Sequence, residues 1–390
     1  MAAPPSLTGW SHTRFGKSAR DDVESLMAEV STAAIEDAGL EPGDIDAVFV
    51  GVFNSGFSKQ SFEAALVGSA APALARVPAT RLENACATGS AALFTALDFI
   101  ESGRGKTALV IGAEKMTAAT ADQVNDALLG ACHRRTESGA GSFAGIFGLL
   151  AQQYFERYGD QREALARIAA KNHRNGVQNP YAHLQKDLGF EFCATESVRN
   201  PRVAGPLLRT DCSMVSDGAA AVVVAAPDVA RGSRRAVTVR GRAHANEPFQ
   251  LNSRPDPLRF EGASRAFTAA LAEAGCSVHD LDLLETHDCF TVAELLQYEA
   301  FGLAEPGKGA TVIAEGITER TGALPVNVSG GLKAKGHPVG ATGVSQHVMA
   351  AMQLTGEAGG MQLPSVDRVA VFNMGGAAVA NYATVLGSGR

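Results

Sequence analysis

The chain has 390 residues, of which 34 are Lys or Arg and 41 are Asp or Glu, giving a formal net charge of −7. This acidic balance argues against a nucleic-acid partner, which would favour a basic face. The length exceeds what one hydrophobic core usually supports, so two domains or a duplicated core are expected.

The cysteine pattern favours a reducing compartment. Six cysteines are scattered along the chain, and no pair or Cys/His cluster has zinc-binding spacing. We therefore expect free thiols, a cytoplasmic protein and no metal site. The N-terminus lacks the apolar core of a secretory signal, and no apolar run reaches the roughly 18 residues of a membrane span.

Helical and strand patterns alternate over the first 115 residues. Apolar residues at helical spacing predict an amphipathic helix over 21–38 and another helix over 61–70. Continuous apolar runs predict buried strands over 46–51 and 107–112. This alternation is typical of a layered α/β sheet.

Cys86 occupies a turn between a short strand predicted over 79–83 and an apolar helix predicted over 91–100. The free N–H groups and the dipole at the start of that helix favour a thiolate. Small neighbours, including Ala87 and Gly89, leave room for a substrate. The same pattern also suits a buried core cysteine in an Ala-rich helix.

The second half of the chain repeats the pattern of the first. A polar, mainly helical segment at about 116–205 is predicted to be an insertion, and a linker follows near 227–235. We predict two related halves, 1–230 and 236–390, with an active site between them at the ends of strands. The elements predicted in the second half are strands over 237–241, 280–285, 325–328 and 368–372, and helices over 262–274 and 340–354.

Three turns carry Cys or His residues that are candidates to meet in one site: the Cys86 turn, the turn 287–290 and the turn 336–338. Each is predicted to follow a strand and precede a helix, so all three should open on the same side of the sheets. A fourth turn, 373–376, is predicted after the last buried strand.

The motifs in these turns resemble those of thiolases, and in particular the sterol-carrier-protein type and the prokaryotic acetyl-CoA acetyltransferases. The resemblance covers nearly the whole chain in the expected order. It implies an α/β thiolase fold, with duplicated halves stacked as five αβαβα layers and an inserted loop domain over the CoA channel. The matching motifs are NACATGSAAL (84–93), SDGAAA (216–221), HDCFT (287–291), GGLKAKGHPVGATG (330–343) and NMGGAA (373–378).

The resemblance also implies residue roles. Cys86 is the expected nucleophile, which carries the acyl group as a thioester. His337 is expected to take its proton, and Cys289 to act as the general acid and base. His287 matches the position of an asparagine that orients an oxyanion-hole water in ordinary thiolases.

Further roles fall on the backbone and on a serine. The N–H groups of Cys86 and Gly375 are expected to form a second oxyanion hole, and Ser213 matches a serine near the pantetheine arm. Ordinary thiolases carry a second catalytic cysteine in the turn where this chain has Asn373, so the acid–base role depends on Cys289.

The expected activity is acetyl-CoA C-acetyltransfer, with acyl-CoA and CoA as substrates, no bound cofactor, and a homodimer or dimer of dimers. Two alternatives remain open. One is a longer-chain or branched 3-ketoacyl-CoA thiolase, and the other is an acyl-CoA-binding subunit that depends on a small partner protein. Arginines of the inserted segment are candidates for the CoA phosphates: Arg134, Arg135, Arg174 and Arg202.

The remaining cysteines and histidines carry no convincing motif. Four cysteines are predicted to be packing residues, with Cys212 close to the pocket: Cys132, Cys193, Cys212 and Cys276. Six histidines are predicted to be exposed or hydrogen-bonded, with His347 in the core or an interface: His133, His173, His183, His244, His279 and His347.

Overall fold

The computed structural model describes residues 3–389. Within this range, no helix has both the length and the apolar character needed to cross a membrane. The strands are β1 (Ser6–His12), β2 (Ala47–Gly51), β3 (Ala79–Leu82), β4 (Thr107–Glu114), β5 (Arg202–Ala204), β6 (Leu207–Leu208), β7 (Gly218–Ala225), β8 (Val237–Asn246), β9 (Leu283–Glu285), β10 (Arg368–Gly375) and β11 (Ala380–Ser388). The helices are α1 (Val23–Asp37), α2 (Glu63–Ala70), α3 (Thr88–Glu101), α4 (Ala121–Leu129), α5 (Arg134–Glu137), α6 (Phe143–Tyr158), α7 (Arg162–Gly176), α8 (Phe190–Ala194), α9 (Pro227–Ala230), α10 (Glu261–Glu273), α11 (Thr291–Ala300), α12 (Gly309–Ala314), α13 (Gly331–Lys335) and α14 (Thr342–Thr355).

The main sheet has two matching halves. Its strand order is β3-β2-β4-β7-β1-β8-β11-β10-β9, and the halves meet where Ser6 and Leu7 pair with Thr238 and Val237. In the first half β2 is parallel to β3 and β4, and β7 is antiparallel to β4. In the second half β9 is parallel to β10, and β11 is antiparallel to β10. The two halves therefore repeat one strand pattern around their junction.

Alternating residues of β7 face two different cores, as expected for a strand buried on both sides. Val223 joins the core that contains Val30 of α1. Val222 joins the core that contains Leu97 of α3 and Val348 of α14. On the far side of the second half, Phe372 of β10 packs in the core that contains α10 and α11. These contacts confirm the predicted five αβαβα layers, with α3 and α14 in the middle.

The two central helices approach closely because they meet at glycines. A Cβ atom on Gly89 of α3 would lie 2.8 Å from the backbone nitrogen of Val344, and one on Gly343 of α14 would lie 2.3 Å from the nitrogen of Ser90. Such distances exclude any side chain at these positions without a shift of the backbone. The close approach brings the N-terminal ends of both helices to one place.

The inserted segment lies between β4 and β7 and contains α4 to α8 and the hairpin of β5 and β6. Its two longest helices are α6, which begins at Phe143, and α7, which continues to Gly176.

Three local predictions were wrong. Residues 325–328 form no strand, because only Val326 pairs with Leu284 in a single parallel bridge. The turn 336–338 follows the helix α13 and not a strand. Gly330 and Gly331 have positive φ angles of 93° and 56°, and this backbone conformation starts α13 immediately before the turn. Asn373 lies inside β10 and is followed by the further strand β11, whose early Ala and Asn residues have low strand propensity.

Candidate active site

Three predicted site residues come together in one cavity of about 510 Å³. Cys86 precedes α3, Cys289 lies between β9 and α11, and His337 lies between α13 and α14. All three side chains line the cavity, and so does Ser213. The backbone nitrogen of Ser213 donates a hydrogen bond of 2.9 Å to the carbonyl oxygen of Cys289, which couples the two cavity walls.

His287 completes a compact group at the end of this cavity. The Sγ of Cys86 and one ring nitrogen from each of His287 and His337 all lie within 4.8 Å of one another. The two imidazole rings stand nearly perpendicular, at 87°, with centroids 5.1 Å apart. A thiol and two imidazoles at this spacing could also ligate a metal ion, although no local spacing in the sequence indicates it.

Burial controls the charge state of Cys86. Its side chain is 2 % exposed, and loss of solvation raises the pKa of the thiol to about 12. The backbone N–H groups of Gly376 and of Cys86 itself lower this pKa in part. The expectation of a thiolate was therefore wrong for the resting protein, because desolvation outweighs the helix start. Cys86 needs a base that takes its proton.

His337 is placed to be that base. Its Nδ1 lies 2.6 Å from Oγ1 of Thr342, whose hydroxyl donates to the carbonyl oxygen of Pro338 at 2.9 Å. Since that hydroxyl has one proton, Nδ1–H must donate to Thr342, which leaves the lone pair on Nε2. Nε2 is buried and has no hydrogen-bond partner among the described residues. Burial, helped by the charge of Lys335, lowers the pKa of His337 to about 3, so the ring is neutral at physiological pH.

His287 is held from its other side by Asn373, a residue that sequence reasoning noted only for its missing thiol. Nδ2 of Asn373 lies 2.9 Å from Nδ1 of His287 and donates to the carbonyl oxygen of Cys86 at 3.1 Å. Its Oδ1 accepts a hydrogen bond of 2.8 Å from the hydroxyl of Ser90. Burial lowers the pKa of His287 well below its ordinary value.

Cys289 is also a neutral thiol at rest. Burial raises its pKa well above the ordinary value, and the negative charge that Cys86 would carry as a thiolate raises it further. Of the two groups predicted for the second oxyanion hole, the Cys86 N–H begins the turn into α3, and Gly375 ends β10. Besides the N–H of Cys86 itself, the backbone N–H that lowers the pKa of the Cys86 thiol belongs to Gly376, one residue after Gly375.

Asp288 ties the Cys289 turn to the segment that carries His337. Its carboxylate accepts hydrogen bonds from the backbone nitrogens of Leu332 and Lys333 in α13, at 2.6 and 3.2 Å, and from Nδ2 of Asn172 at 2.7 Å. Burial and the nearby Glu294 carboxylate raise the pKa of Asp288. The side chain therefore holds the Cys289 turn against α13, the helix that precedes the His337 turn.

The rest of the cavity wall is mostly apolar and comes largely from the inserted segment. Among the described residues that line it there is no Lys, Arg, Asp or Glu. Apart from Cys212 and Phe290, no signal in the sequence pointed to these residues, because single side chains outside a motif cannot be recognised. They are Met116, Thr117, Ala119, Ala121, Val124, Asn125, Leu128, Ser142, Phe143, Ala144, Val203, Cys212, Met214, Val215 and Phe290.

The candidate phosphate-binding arginines do not line the cavity. Arg134 pairs with Asp126 at 2.6 Å and Arg202 pairs with Glu196 at 2.7 Å. Arg174 forms an ion pair with Glu319. These guanidinium groups already have carboxylate partners on the surface.

The other cysteines and histidines mostly match their predicted structural roles. Cys212 lines the cavity, and His347 is buried with hydrogen bonds to the carbonyl oxygen of Gly343 and the hydroxyl of Thr384. His173 differs from the prediction, because it is buried and neither ring nitrogen has a partner among the described residues.

Family models cover most of the chain. Residues 8–228 match the N-terminal domain of thiolase, and residues 241–388 match the thiolase C-terminal domain-like model. An acetyl-CoA acetyltransferase of Methanothermobacter thermautotrophicus is 36% identical over 374 residues, which are 95% of this chain and 96% of the relative. Human sterol carrier protein 2 is 31% identical over 95% of this chain and 69% of its own length.

Solved structures show the same fold at lower identity. A structure titled Ltp2-ChsH2(DUF35) aldolase aligns with a TM-score of 0.84 at 21% identity, over 100% of this chain and 99% of the other. Human mitochondrial 3-ketoacyl-CoA thiolase in complex with CoA aligns with a TM-score of 0.75 at 18% identity, over 100% and 98%. With both halves matched by family models and relatives above 30% identity along nearly its full length, this chain belongs to the thiolase family.

Proposed function

We propose that the protein is an acetyl-CoA C-acetyltransferase that joins two acetyl-CoA molecules or, in reverse, cleaves acetoacetyl-CoA with CoA. The observation that carries this proposal is the meeting of Cys86, His337 and Cys289 in one cavity. Acyl transfer through a thioester needs a nucleophile, a base for it and a second proton carrier, and these three groups supply them. The 36% identity with an acetyl-CoA acetyltransferase gives independent support.

The first half-reaction acylates Cys86. The lone pair on Nε2 of His337 takes the thiol proton while Sγ attacks the thioester carbonyl of acetyl-CoA. The bond to CoA sulfur breaks, and the departing thiolate takes the proton of Cys289 and leaves as free CoA. The imidazolium of His337 and the thiolate of Cys289 then stabilise each other inside the desolvated cavity.

The second half-reaction forms the carbon–carbon bond. The Cys289 thiolate takes a proton from the methyl group of a second acetyl-CoA, and the resulting carbanion attacks the thioester on Cys86. The carbon–sulfur bond breaks, and Cys86 recovers its proton from His337, which restores all three groups. Once acylated, the Cys86 sulfur cannot become the thiolate whose charge would raise the pKa of Cys289, so the Cys289 thiolate left by the first half-reaction persists more easily.

Two sets of donors hold the oxygen charge that develops in these steps. We assign the backbone N–H groups of Cys86, Gly375 and the adjoining Gly376 to the thioester oxygen on Cys86. We assign His287 and His337 to the enolate oxygen of the second acetyl-CoA. No bound cofactor enters this scheme.

A second candidate function follows from the uncharged cavity wall. The 3′-phospho-ADP of CoA carries several negative charges and normally needs Arg or Lys partners. The cavity-lining residues offer none, and three candidate arginines are paired with carboxylates. We propose that the isolated chain binds mainly the pantetheine and acyl groups, and that a small partner protein supplies the phosphate site. The aldolase structure of similar fold has a DUF35 partner in its title.

A comparison of two thioesters tests both candidates. With the isolated chain, we expect condensation and thiolysis activity, and a kcat/KM for S-acetyl-pantetheine within about tenfold of that for acetyl-CoA, a difference below roughly 1.4 kcal/mol. A partner that completes the site would raise kcat/KM for acetyl-CoA alone. A preference of the isolated chain for acetyl-CoA of about 100-fold or more would contradict a missing phosphate site.

The same assay addresses acyl length. We expect kcat/KM for thiolysis to be highest with acetoacetyl-CoA and lower by about tenfold or more with longer or branched 3-ketoacyl-CoA, on the order of 1.4 kcal/mol. The apolar wall that includes Leu128 and Phe143 is the observation that favours the longer-chain alternative. A maximum at medium or long chains would establish that alternative.

We also propose a homodimer. Strand β3 ends the described sheet, so its outer edge has no partner strand within residues 3–389. An unpaired edge is a ready site for pairing with a second copy. Light scattering of the purified chain should give twice the monomer mass, and a monomer at assay concentrations would contradict the proposal.

A further inference from the structure

Asn373 contacts three parts of the active site at once. Its amide group bridges the carbonyl oxygen of Cys86, the ring of His287 and the hydroxyl of Ser90. The side chain is fully buried, and Gly343 packs so closely that a Cβ there would lie 2.5 Å from Oδ1 of Asn373. The amide is therefore confined by contacts on all sides.

These contacts fix which way the amide points. A carbonyl oxygen can only accept a hydrogen bond, so the atom 3.1 Å from the Cys86 oxygen must be the amide nitrogen. That nitrogen also lies 2.9 Å from Nδ1 of His287. Since an NH₂ group only donates, Nδ1 of His287 must accept, and the neutral ring carries its proton on Nε2.

We propose that Asn373 is a positioning residue that locks His287 as an Nε2–H donor and thereby keeps the Cys86–His287–His337 group from binding Zn²⁺. The donor role toward the substrate oxygen rests on the proposed function, whereas the exclusion of zinc does not. The two histidines then play different hydrogen-bonding roles toward the substrate. Nε2 of His337 offers a lone pair, and Nε2 of His287 offers a proton.

The exclusion of zinc follows from the geometry of the donor set. A thiolate and two imidazoles within 4.8 Å of one another, with a fourth position open to a cavity, form a usual catalytic zinc set. Because the amide of Asn373 occupies Nδ1 of His287, zinc would have to bind at Nε2, and the ring proton would have to move to Nδ1. There it would face the amide N–H of Asn373, and two donors would oppose each other in a buried site.

Asn373→Asp should reverse this arrangement. A carboxylate accepts the proton of Nδ1 and frees Nε2 of His287 as a ligand, which is the carboxylate–histidine–zinc relation that supports zinc sites. Zinc would then be held by His287, His337 and Cys86, and the thiol proton of Cys86 would be released to solvent. We expect Asn373→Asp to bind one Zn²⁺ per chain about 10- to 100-fold more tightly than the wild type.

Zinc affinity is measured by competition with a chelating dye, and Co²⁺ replaces Zn²⁺ to report thiolate ligation by its charge-transfer absorption. The double variant Asn373→Asp/His287→Ala should lose the gain. Asn381→Asp is the matched control, because Asn381 is a buried asparagine of the adjoining strand that pairs in register with Met374; its zinc affinity should equal that of the wild type. Equal zinc affinity in wild type and Asn373→Asp, or a gain that persists without His287, would overturn the proposal.

A second measurement needs only the wild-type fold. Nitrogen chemical shifts of ¹⁵N-histidine-labelled protein, assigned with His287→Ala, should show a protonated Nε2 and an unprotonated Nδ1 for His287. The opposite tautomer would overturn the lock even if Asn373→Asp failed to fold. Neither readout depends on turnover, so an inactive wild type would contradict the proposed function and leave this result standing.

Discussion

Cys86→Ala should abolish both condensation of acetyl-CoA and thiolysis of acetoacetyl-CoA, with a fall in kcat on the order of 10⁴-fold or more. The loss is large because no other thiol lies within 4.8 Å of both His287 and His337 among the described residues. The alanine side chain is smaller than the thiol and fits the same turn, so the fold should persist. The formation and cleavage of acetoacetyl-CoA are followed by the absorbance of its magnesium enolate.

Cys276→Ala is the control for the loss of a thiol as such, since Cys276 is half-buried and lies outside the cavity lining. It should turn over acetoacetyl-CoA as the wild type does. Thiolysis by Cys86→Ala at more than about a hundredth of the wild-type rate would show that another group carries the acyl chain.

Cys289→Ala should separate the two half-reactions. Acetylation of Cys86 should persist, because His337 remains to accept the Cys86 proton and CoA sulfur is a good leaving group. Carbon–carbon bond formation should fall by about 10²- to 10⁴-fold, the usual contribution of a positioned general base. Acylation is measured as exchange of labelled CoA into acetyl-CoA, and condensation as acetoacetyl-CoA formed.

Proton exchange at the acetyl methyl group gives a direct control. In D₂O the wild type should introduce deuterium into the methyl group of acetyl-CoA, and Cys289→Ala should not, while both still exchange CoA. Deuterium incorporation by the variant at the wild-type rate would place the base on a different residue.

The positions of Cys86 and His337 near one cavity were predictable because each lies in a recognisable turn. Cys86 lies where an apolar helix begins, and His337 lies within a glycine-rich run before another helix. The local backbone fixes such positions, and the matching motifs resemble those of a known family. The five-layer stacking was implied by the resemblance to thiolases, whereas the alternation of buried strands and helices predicted only a layered α/β sheet.

The hydrogen bonds of these residues, their charge states and their surroundings were not predictable. Asn373 is separated from His287 by 86 residues and from Cys86 by 287 residues, so its hydrogen bonds to both depend on the tertiary fold. The charge state of Cys86 was mispredicted because a local pattern shows the start of a helix but not the loss of solvent around the sulfur. The apolar cavity wall and the pairing of Arg174 with Glu319 likewise depend on tertiary contacts.

The most direct test of the account is mass spectrometry of Cys289→Ala after incubation with acetyl-CoA. Because condensation is blocked in this variant, the thioester should accumulate to one acetyl group per chain, on the peptide that contains Cys86. Addition of CoA should remove the acetyl group. An unmodified Cys86, with no acetyl group on the chain or with the group on another residue, would contradict a covalent mechanism through Cys86.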